Sequence, residues 1–214
     1  MKNGTTGQRM ASPQLMPKMN NNLKVLKLFI DHKNRTFTIK RAAETLKMNY
    51  RIAHEEITKL EKETLIKITR HGNSKVCEFS YKYHSKIVEV EEIRKQSLLN
   101  TSKNKDIWLI FKRIKEVKSP FYCLVLFGSH ADKTTRKGSD IDLCLITDSP
   151  EVNKEVHSIL EITPIDVHLQ EFSSKQFLSM LKNKEGNVGN EVVKNNVILY
   201  GIEAFYELVN NVKR

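Results

Sequence analysis

The stretch FYCLVLFGSHADKTTRKGSDIDLCLIT, residues 121–147, decides the fold of the C-terminal half of this chain. It opens with seven consecutive apolar residues, a pattern typical of a buried β-strand. Gly128 and Ser129 follow at once, and ten residues then separate Ser129 from Asp140. Asp140 and Asp142 begin a second apolar run. The pattern predicts two neighbouring strands, with a Gly-Ser turn after the first and two carboxylates at the start of the second.

Carboxylates recur at the next apolar run, ITPIDVHL, where we expect Asp166 to lie within a strand. Successive side chains on a strand alternate between faces, so Asp140 and Asp142 should share one face. Two like charges there are costly unless a cation compensates for them. Oxygen ligands without His or Cys partners favour Mg²⁺ or Mn²⁺. His168 shares the face of Asp166, but a single histidine there is more typical of packing or of a hydrogen bond.

The Gly-Ser dipeptide suits a phosphate group. Gly128 has no side chain where a phosphate would approach the backbone, and Ser129 offers a hydroxyl and an N–H at the start of a short predicted helix. Taken singly, a Gly-Ser pair, an Asp-x-Asp or a single Asp is usually a loop, an exposed strand end or a solvated carboxylate. In this order and spacing, however, the motifs resemble the DNA polymerase β superfamily of nucleotidyltransferases, particularly its minimal members.

That resemblance covers about residues 103–210 and implies a small mixed β-sheet flanked by helices. It implies ATP or another nucleoside triphosphate as donor and two metal ions, Mg²⁺ or Mn²⁺. The ending NVILYGIEAFYELV is similar to the close of these domains, where a short strand precedes a last helix. The site residues that it implies are Gly128, Ser129 and Ser139 for the triphosphate, Asp140 and Asp142 for both metals, and Asp166 for the catalytic metal and for acting as, or orienting, the base.

The sequence departs from the family pattern at one point. Many minimal members have Arg-Gly after the alanine that follows Gly-Ser-x, whereas Asp132 and Lys133 follow Ala131 here. An additional carboxylate near a triphosphate is electrostatically unfavourable, and Lys133, Arg136 or Lys137 can offset it. Because all three metal-site carboxylates are kept, the sequence favours an active enzyme, and the alternative is a domain that only binds nucleotide.

The N-terminal half predicts three short helices followed by a β-hairpin. Apolar spacing gives helices over Leu23–Ile30, over a segment capped by Thr38 and ending at Lys47, and over Tyr50–Glu63, where Ile52, Ala53, Ile57 and Leu60 form the buried side. The hairpin follows, with His71 to Ser74 as its turn. This order resembles a winged helix-turn-helix domain over residues 22–82.

In that family the third helix usually enters the DNA major groove and the hairpin touches the backbone. The resemblance therefore implies a DNA- or RNA-binding surface, although such domains also serve as protein-contact or dimerisation modules. The candidate nucleic-acid contacts are Tyr50, Arg51, His54, Glu55, Thr58 and Lys59 on the third helix and Arg70, His71 and Lys75 on the hairpin.

Charge is divided unevenly along the chain. Residues 1–118 hold 26 Lys and Arg against 12 Asp and Glu, a net of +14, whereas the remaining residues have a net of −3. A basic surface attracts polyanions by neutralising phosphates and releasing counterions. A lysine-rich surface can also serve solubility alone.

The domain plan is α+β: a disordered leader over 1–21, the winged helix over 22–82, a helical linker over 83–102 whose apolar face can alternatively pack a dimer partner, and the nucleotidyltransferase domain over 103–214. A further helix with apolar residues Ile107, Trp108, Ile110, Phe111 and Ile114 opens that last domain. Three well-separated cysteines, the absence of a secretory signal and the absence of a long apolar run indicate buried thiols in a cytoplasmic protein without a membrane span.

The expected function is metal-dependent transfer of a nucleoside monophosphate, AMP from ATP, to a hydroxyl group. Three acceptors stay open: a protein side chain, as for antitoxins paired with HEPN toxins, an RNA end, or a small molecule. The alternatives are a DNA-binding regulator or antitoxin that only senses nucleotide, and an interaction protein that uses the winged helix to dimerise.

Overall fold

The computed structural model describes residues 19–72, 74–117, 122–136, 138–183 and 186–212. Residues 1–18 of the leader predicted for residues 1–21 lie outside these ranges. Throughout the described ranges, no helix is both long and apolar enough to cross a membrane.

Three helices begin the described chain at the predicted positions, and each has a polar residue at its N-cap. The Thr38 hydroxyl accepts a hydrogen bond from the Arg41 N–H at 3.2 Å, which confirms the predicted cap. Asn20 and Asn49 cap the other two helices in the same way. The helices are α1 (Asn21–Asp31), α2 (Ile39–Leu46) and α3 (Tyr50–Lys62).

Helix α3 differs from the prediction at one apolar position. Ala53, Ile57 and Leu60 are fully buried, whereas Ile52 is 38% exposed. The buried residues follow the spacing i, i+4, i+7, and Ile52 lies about 100° around the helix from Ala53. The prediction that Ile52 is buried was therefore wrong.

The predicted hairpin is present, and a short third strand joins it. The strands β1 (Phe37–Thr38), β2 (Ile66–His71) and β3 (Ser74–Phe79) form an antiparallel sheet in the order β1-β3-β2. Its turn falls between His71 and Ser74, as predicted. Three helices with this sheet have the element order of the winged-helix prediction, and the assignment to that family stays a prediction.

A second, mixed sheet forms in the C-terminal half, so the predicted α+β class with two sheets is confirmed. Its strands are β4 (Cys123–Phe127), β5 (Ile141–Ile146), β6 (Val167–Phe172) and β7 (Asn196–Tyr200), in the order β6-β5-β4-β7. Only β5 and β6 run parallel. The remaining helices are α4 (Ser85–Leu99), α5 (Lys105–Ile114) after a 3₁₀ turn (Ser102–Asn104), α6 (Gly128–Asp132), α7 (Pro150–Glu161), α8 (Ser174–Lys182), α9 (Val188–Lys194) and α10 (Ile202–Asn210).

Alternating residues of the mixed sheet face two separate cores. Leu124 and Leu126 pack with the buried residues of α5 and α7 on one face. Val125 and Ile198 pack on the other face with α8, α9 and α10, in a core that continues into the N-terminal helices. Cys77, Cys123 and Cys144 are buried and free, as predicted, and burial raises the pKa of the Cys123 and Cys144 thiols to about 12.

Helix α5 also corrects an expectation. Ile107, Ile110 and Ile114 are buried, whereas Trp108, which the apolar pattern placed in the same stripe, is 45% exposed. The reason is again rotational, since Trp108 follows Ile107 by one residue and therefore points about 100° away.

Helix α4 joins the two halves through a buried cluster of charged and polar groups. The Glu91 side chain is fully buried and accepts from Lys33 Nζ at 2.9 Å and from the Tyr206 hydroxyl at 2.5 Å. Arg94 Nη1 also donates to Glu91, and its Nη2 donates to the Asn196 carbonyl at 2.7 Å. Lys33 follows α1, and Asn196 begins β7, so the cluster fastens the N-terminal helices to an edge of the mixed sheet.

Although burial alone would raise it, the pKa of Glu91 is lowered to about 2, because the attraction of Arg94 and Lys33 exceeds the desolvation effect. Because the folded-state value lies below the ordinary value, the charged carboxylate stabilises the fold above about pH 4.5. That stability is lost as the pH falls from about 4.5 to about 2.

We therefore expect Glu91→Gln to lower the free energy of unfolding by about 3–5 kcal/mol at neutral pH, because it leaves the buried Lys33 without a carboxylate and Arg94 with Asp31 alone. Urea denaturation followed by circular dichroism measures this. The wild-type stability should fall more steeply than that of the variant below pH 4.5. Glu89→Gln, on the exposed side of the same helix, is the matched control and should cost less than about 0.5 kcal/mol. Equal stability of the two variants would contradict a structural role for the cluster.

Candidate functional site

The candidate carboxylates meet where the parallel strands β5 and β6 begin. Ile141 pairs with Val167 across these strands, and the Ile141 N–H donates to the Asp166 carbonyl at 3.4 Å. Asp140 and Asp166 are therefore neighbours, each preceding a paired residue, on strands about 5 Å apart. Both are exposed and lie just outside their strands. The expectation that Asp166 lies within a strand was wrong by one residue, because pairing begins at Val167.

Gly128 lies directly against the third carboxylate. It has a φ of +66°, and a Cβ built on it would lie 2.2 Å from Asp142 Oδ2. Both the backbone conformation and the contact exclude a larger residue at this position. The turn after β4 is thus fixed against the half-buried Asp142 of the neighbouring strand, which explains why this motif needs a glycine.

His168 lies beside Asp142 on the adjacent strand. Its Nδ1 is 3.3 Å from Asp142 Oδ1, and its Nε2 is 2.8 Å from the amide nitrogen of Gln170. An amide nitrogen only donates, so Nε2 accepts and the ring proton sits on Nδ1, where it donates to the carboxylate. His168 is therefore a hydrogen-bond partner of Asp142, in agreement with the sequence expectation.

His130 fixes the segment that leads into the carboxylates. Its Nε2 is 3.3 Å from the Ser139 carbonyl, which can only accept, so Nε2 carries the proton in this contact. Its Nδ1 is buried and has no hydrogen-bond partner among the described residues. The Ser139 hydroxyl in turn accepts from the Arg136 N–H at 3.0 Å. Ser139 is thereby held from two sides immediately before Asp140.

A cleft of about 440 Å³ opens at this point. One wall contains Ser139, Asp140 and Asp166, and the opposite wall consists of the 3₁₀ turn and the first turn of α5. Gly128, Ser129 and Asp142 are not among the residues that line this cleft. The opposite wall is formed by Lys103, Asn104, Asp106 and Ile107.

The donor set suits a hard divalent cation, because Asp140, Asp142 and Asp166 supply only carboxylate oxygens. Among the residues that the structure describes, however, no three His, Cys, Asp or Glu side chains are arranged to hold a metal ion. Like charges separate when nothing neutralises them, so the backbone brings the carboxylates together while their side chains do not converge.

The departure at Asp132 and Lys133 has a structural explanation. Lys133 has a φ of +65°, in the left-handed region that favours glycine, which accounts for the glycine that many family members have there. The Asp132 carboxylate accepts from the Thr134 N–H at 2.9 Å and from the Thr134 hydroxyl at 2.5 Å. Asp132 therefore caps the turn in which Lys133 has a left-handed backbone conformation, and its carboxylate is held by these two hydrogen bonds. Lys137, the other offsetting residue, lies outside the described residues.

Of the predicted nucleic-acid contacts, those on α3 are neutralised by their own helix. Arg51 pairs with Glu55 at 3.1 Å, and Lys59 pairs with Glu56 at 2.8 Å. The Thr58 hydroxyl donates to the His54 carbonyl at 2.8 Å, whereas Tyr50 is 55% exposed.

The hairpin tip differs, because Arg70 lies directly opposite Lys75 in the register and both are exposed. His71, the other wing candidate, is also exposed and pairs in register with Ser74. The like charges of Arg70 and Lys75, directly opposite each other on neighbouring strands, are unfavourable without an anion between them.

A family model matches most of the C-terminal half. Residues 105–204 are similar to the family "Polymerase beta, Nucleotidyltransferase". The matched segment contains every candidate carboxylate and the Gly-Ser turn, and it spans just under half of the chain.

One solved structure, "Crystal structure of the toxin-antitoxin with AMP-PNP", is 19% identical. The similarity covers 53% of this chain and 84% of that one, with a TM-score of 0.30, which is too low to inform about this chain's fold or partners. No curated protein matches the sequence significantly.

Sequence reasoning missed His130 and the wall formed by Lys103, Asn104 and Asp106. His130 directly follows the Gly-Ser pair, and that adjacency was the available signal. The wall has no local signal, because tertiary packing brings the turn before α5 to the carboxylates from about 36 residues away.

We expect Gly128→Ala to destabilise the protein by more than about 1 kcal/mol, since it combines a left-handed φ with a collision at Asp142. Thermal unfolding measures this. Gly72→Ala is the matched control, because Gly72 has a φ of +58° and open space around its Cβ position. The double variant Gly128→Ala/Asp142→Ala should recover part of the lost stability. No recovery would show that the contact with Asp142 is not the cause.

Proposed function

We propose that this protein is a divalent-cation-dependent nucleotidyltransferase that transfers a nucleoside monophosphate, AMP from ATP, to an acceptor hydroxyl. The observation that carries the proposal is the parallel register of β5 and β6, which places Asp140 beside Asp166 inside the segment that matches the nucleotidyltransferase family. Ser139, held by His130 and by the Arg136 amide, borders the same carboxylates and supplies a hydroxyl for a phosphate.

In the proposed reaction the acceptor oxygen forms a bond to the α-phosphorus, the bond between the α- and β-phosphates breaks, and pyrophosphate leaves. The Asp166 carboxylate takes the acceptor proton or orients the group that takes it. Asp140 and Asp142 hold negative charge where Mg²⁺ or Mn²⁺ binds, and His168 fixes the Asp142 carboxylate. Two such cations, when bound, would lower the pKa of the acceptor hydroxyl and neutralise the leaving pyrophosphate.

Gly128 and Ser129 serve the triphosphate in this proposal. Gly128 presents its backbone without a side chain, as its contact with Asp142 requires. The 3₁₀ turn before α5 and the start of α5 line the same cleft as Asp140 and Asp166. The protein would thus act mainly by positioning the reactants and by supplying fixed charge.

A second candidate function is a regulator that binds nucleotide without turnover. It is favoured by Asp132, which stands in the turn after the Gly-Ser motif where many family members have arginine. Nucleotide would then alter nucleic-acid affinity, and no pyrophosphate would be released. Turnover therefore separates the two functions.

Asp140→Asn and Asp166→Asn should each lower Mg²⁺-dependent pyrophosphate release from ATP by at least about 100-fold, because each removes charge where it stabilises the transition state. Since the acceptor is unknown, lysate incubated with the protein and α-labelled ATP supplies candidates. Both side chains are exposed, so the unfolding temperature should change by less than a few degrees. Asp148→Asn, exposed beyond the far end of β5, is the control. Unchanged turnover in either active-site variant would refute the assignment.

The N-terminal half is proposed to bind DNA or RNA through the wing and α3, with protein contact or dimerisation as the alternative. The double variant Arg70→Gln/Lys75→Gln should lower the salt dependence of duplex binding by about two phosphate contacts, because both exposed cations are removed. Fluorescence anisotropy over a salt series measures the slope. Lys40→Gln, exposed on α2, is the control. Binding that is insensitive to salt in the wild type would argue against a nucleic-acid role.

A further inference from the structure

Helix α5 presents a basic and aromatic stripe that the proposed function does not use. Lys105, Trp108, Lys112 and Lys115 follow the spacing i, i+3, i+7, i+10, which places them on one side of the helix. All four are exposed, and Trp108 leaves 45% of its surface to solvent. Lys112 Nζ lies 5.2 Å from the centroid of the Trp108 ring. We call these four residues the α5 stripe.

The stripe carries uncompensated positive charge. Among the described residues, no carboxylate forms an ion pair with Lys105, Lys112 or Lys115, or with Lys103 just before the helix. Arg51 and Lys59 on α3, by contrast, form ion pairs within that helix. A polyanion would therefore gain more at the α5 stripe, where no internal carboxylate has to be displaced.

The stripe ends at the cleft that contains the carboxylates. Lys103, Asn104 and Asp106 line that cleft, and Lys105 begins the stripe beside them. From Lys105 to Lys115 the helix rises by roughly 15 Å, which is the length of about four stacked nucleotides. A strand lying along α5 would thus reach Asp140 and Asp166 with its end.

From this geometry we infer that the α5 stripe binds a single-stranded polynucleotide, with Trp108 stacking on a base and the lysines contacting phosphates. Proteins that bind single strands combine an exposed aromatic ring with cations that have no carboxylate partner, because every base has a face that can stack on the ring. A duplex would offer its phosphates but no free base. The inference rests on the proposed function in one respect: the strand's terminal hydroxyl becomes the acceptor.

Trp108 is the single tryptophan of the chain, so its fluorescence reports on this surface alone. Titrating the full-length protein with an unlabelled single-stranded RNA of mixed sequence, on the order of a dozen nucleotides long, should quench Trp108 saturably, and added salt should reverse the quenching. A DNA strand of the same sequence shows whether the 2′-hydroxyl matters. The matching duplex should quench much less.

Variants locate the site independently of fluorescence. By anisotropy of labelled RNA, Trp108→Ala should weaken binding roughly 5- to 100-fold, and Trp108→Phe, which keeps a stacking ring, should recover part of it. Lys112→Gln/Lys115→Gln should weaken binding and lower the salt slope by about 1.4, since each phosphate contact on a single strand contributes about 0.7. Lys175→Gln, exposed on α8 across the sheet, is the control and should leave binding unchanged.

Three results would overturn the inference: an absence of quenching by either single strand, equal quenching by the duplex, or RNA affinity that survives in Trp108→Ala. A change of Trp108 emission with protein concentration alone would make the stripe a contact between copies of the chain and would also overturn it. The two proposals fail separately. Quenching without pyrophosphate release would leave the stripe intact and refute the enzyme, whereas turnover without quenching would do the reverse.

Discussion

Glu91 is a carboxylate without solvent contact, and the placement of the two halves of this protein depends on how its charge is neutralised. Lys33 after α1 and Tyr206 on α10 donate to it from two other elements, and Arg94 donates from its own helix, so moving α4 away from either element breaks a hydrogen bond to a buried charge. Apolar packing alone tolerates small slips between surfaces. A buried ionic cluster does not, because its free energy depends steeply on each hydrogen-bond length.

The constraint extends to the candidate site through β7. Asn196 accepts from Lys33 through its side chain and from Arg94 through its carbonyl, and it pairs with Phe127 at the end of β4. Gly128 is the next residue, and it is fixed in turn against Asp142. A continuous series of hydrogen bonds and strand pairs thus runs from the N-terminal helices to the Gly-Ser turn, so the backbone of the site rests on a rigid base while its exposed carboxylates stay free to adjust.

The parts of the structure that follow local rules were predictable from the sequence. The Thr38 cap, the hairpin turn and the apolar run of β4 each depend on a few adjacent residues, and each is present. Rotation within a helix was less predictable: Ile52 and Trp108 are apolar, adjacent to a buried position, and exposed. The buried cluster and the wall opposite Asp140 were beyond prediction, because Lys33, Glu91 and Asn196 are far apart in sequence and read singly as surface residues.

The position of α5 changes the interpretation of the uneven charge along the chain. The net charge of +14 over residues 1–118 at first indicates a polyanion-binding surface on the segment predicted to be a winged helix. Residues 103–118, however, contribute six of the basic residues against two acidic ones. Most of that segment lies within the family-model match, and Lys103 lines the cleft that contains Asp140 and Asp166. On α3, Arg51 and Lys59 form ion pairs with Glu55 and Glu56 of the same helix. Because unpaired charge, not total charge, attracts a polyanion, the surface beside the carboxylates is better suited to one than the helix that the sequence singled out.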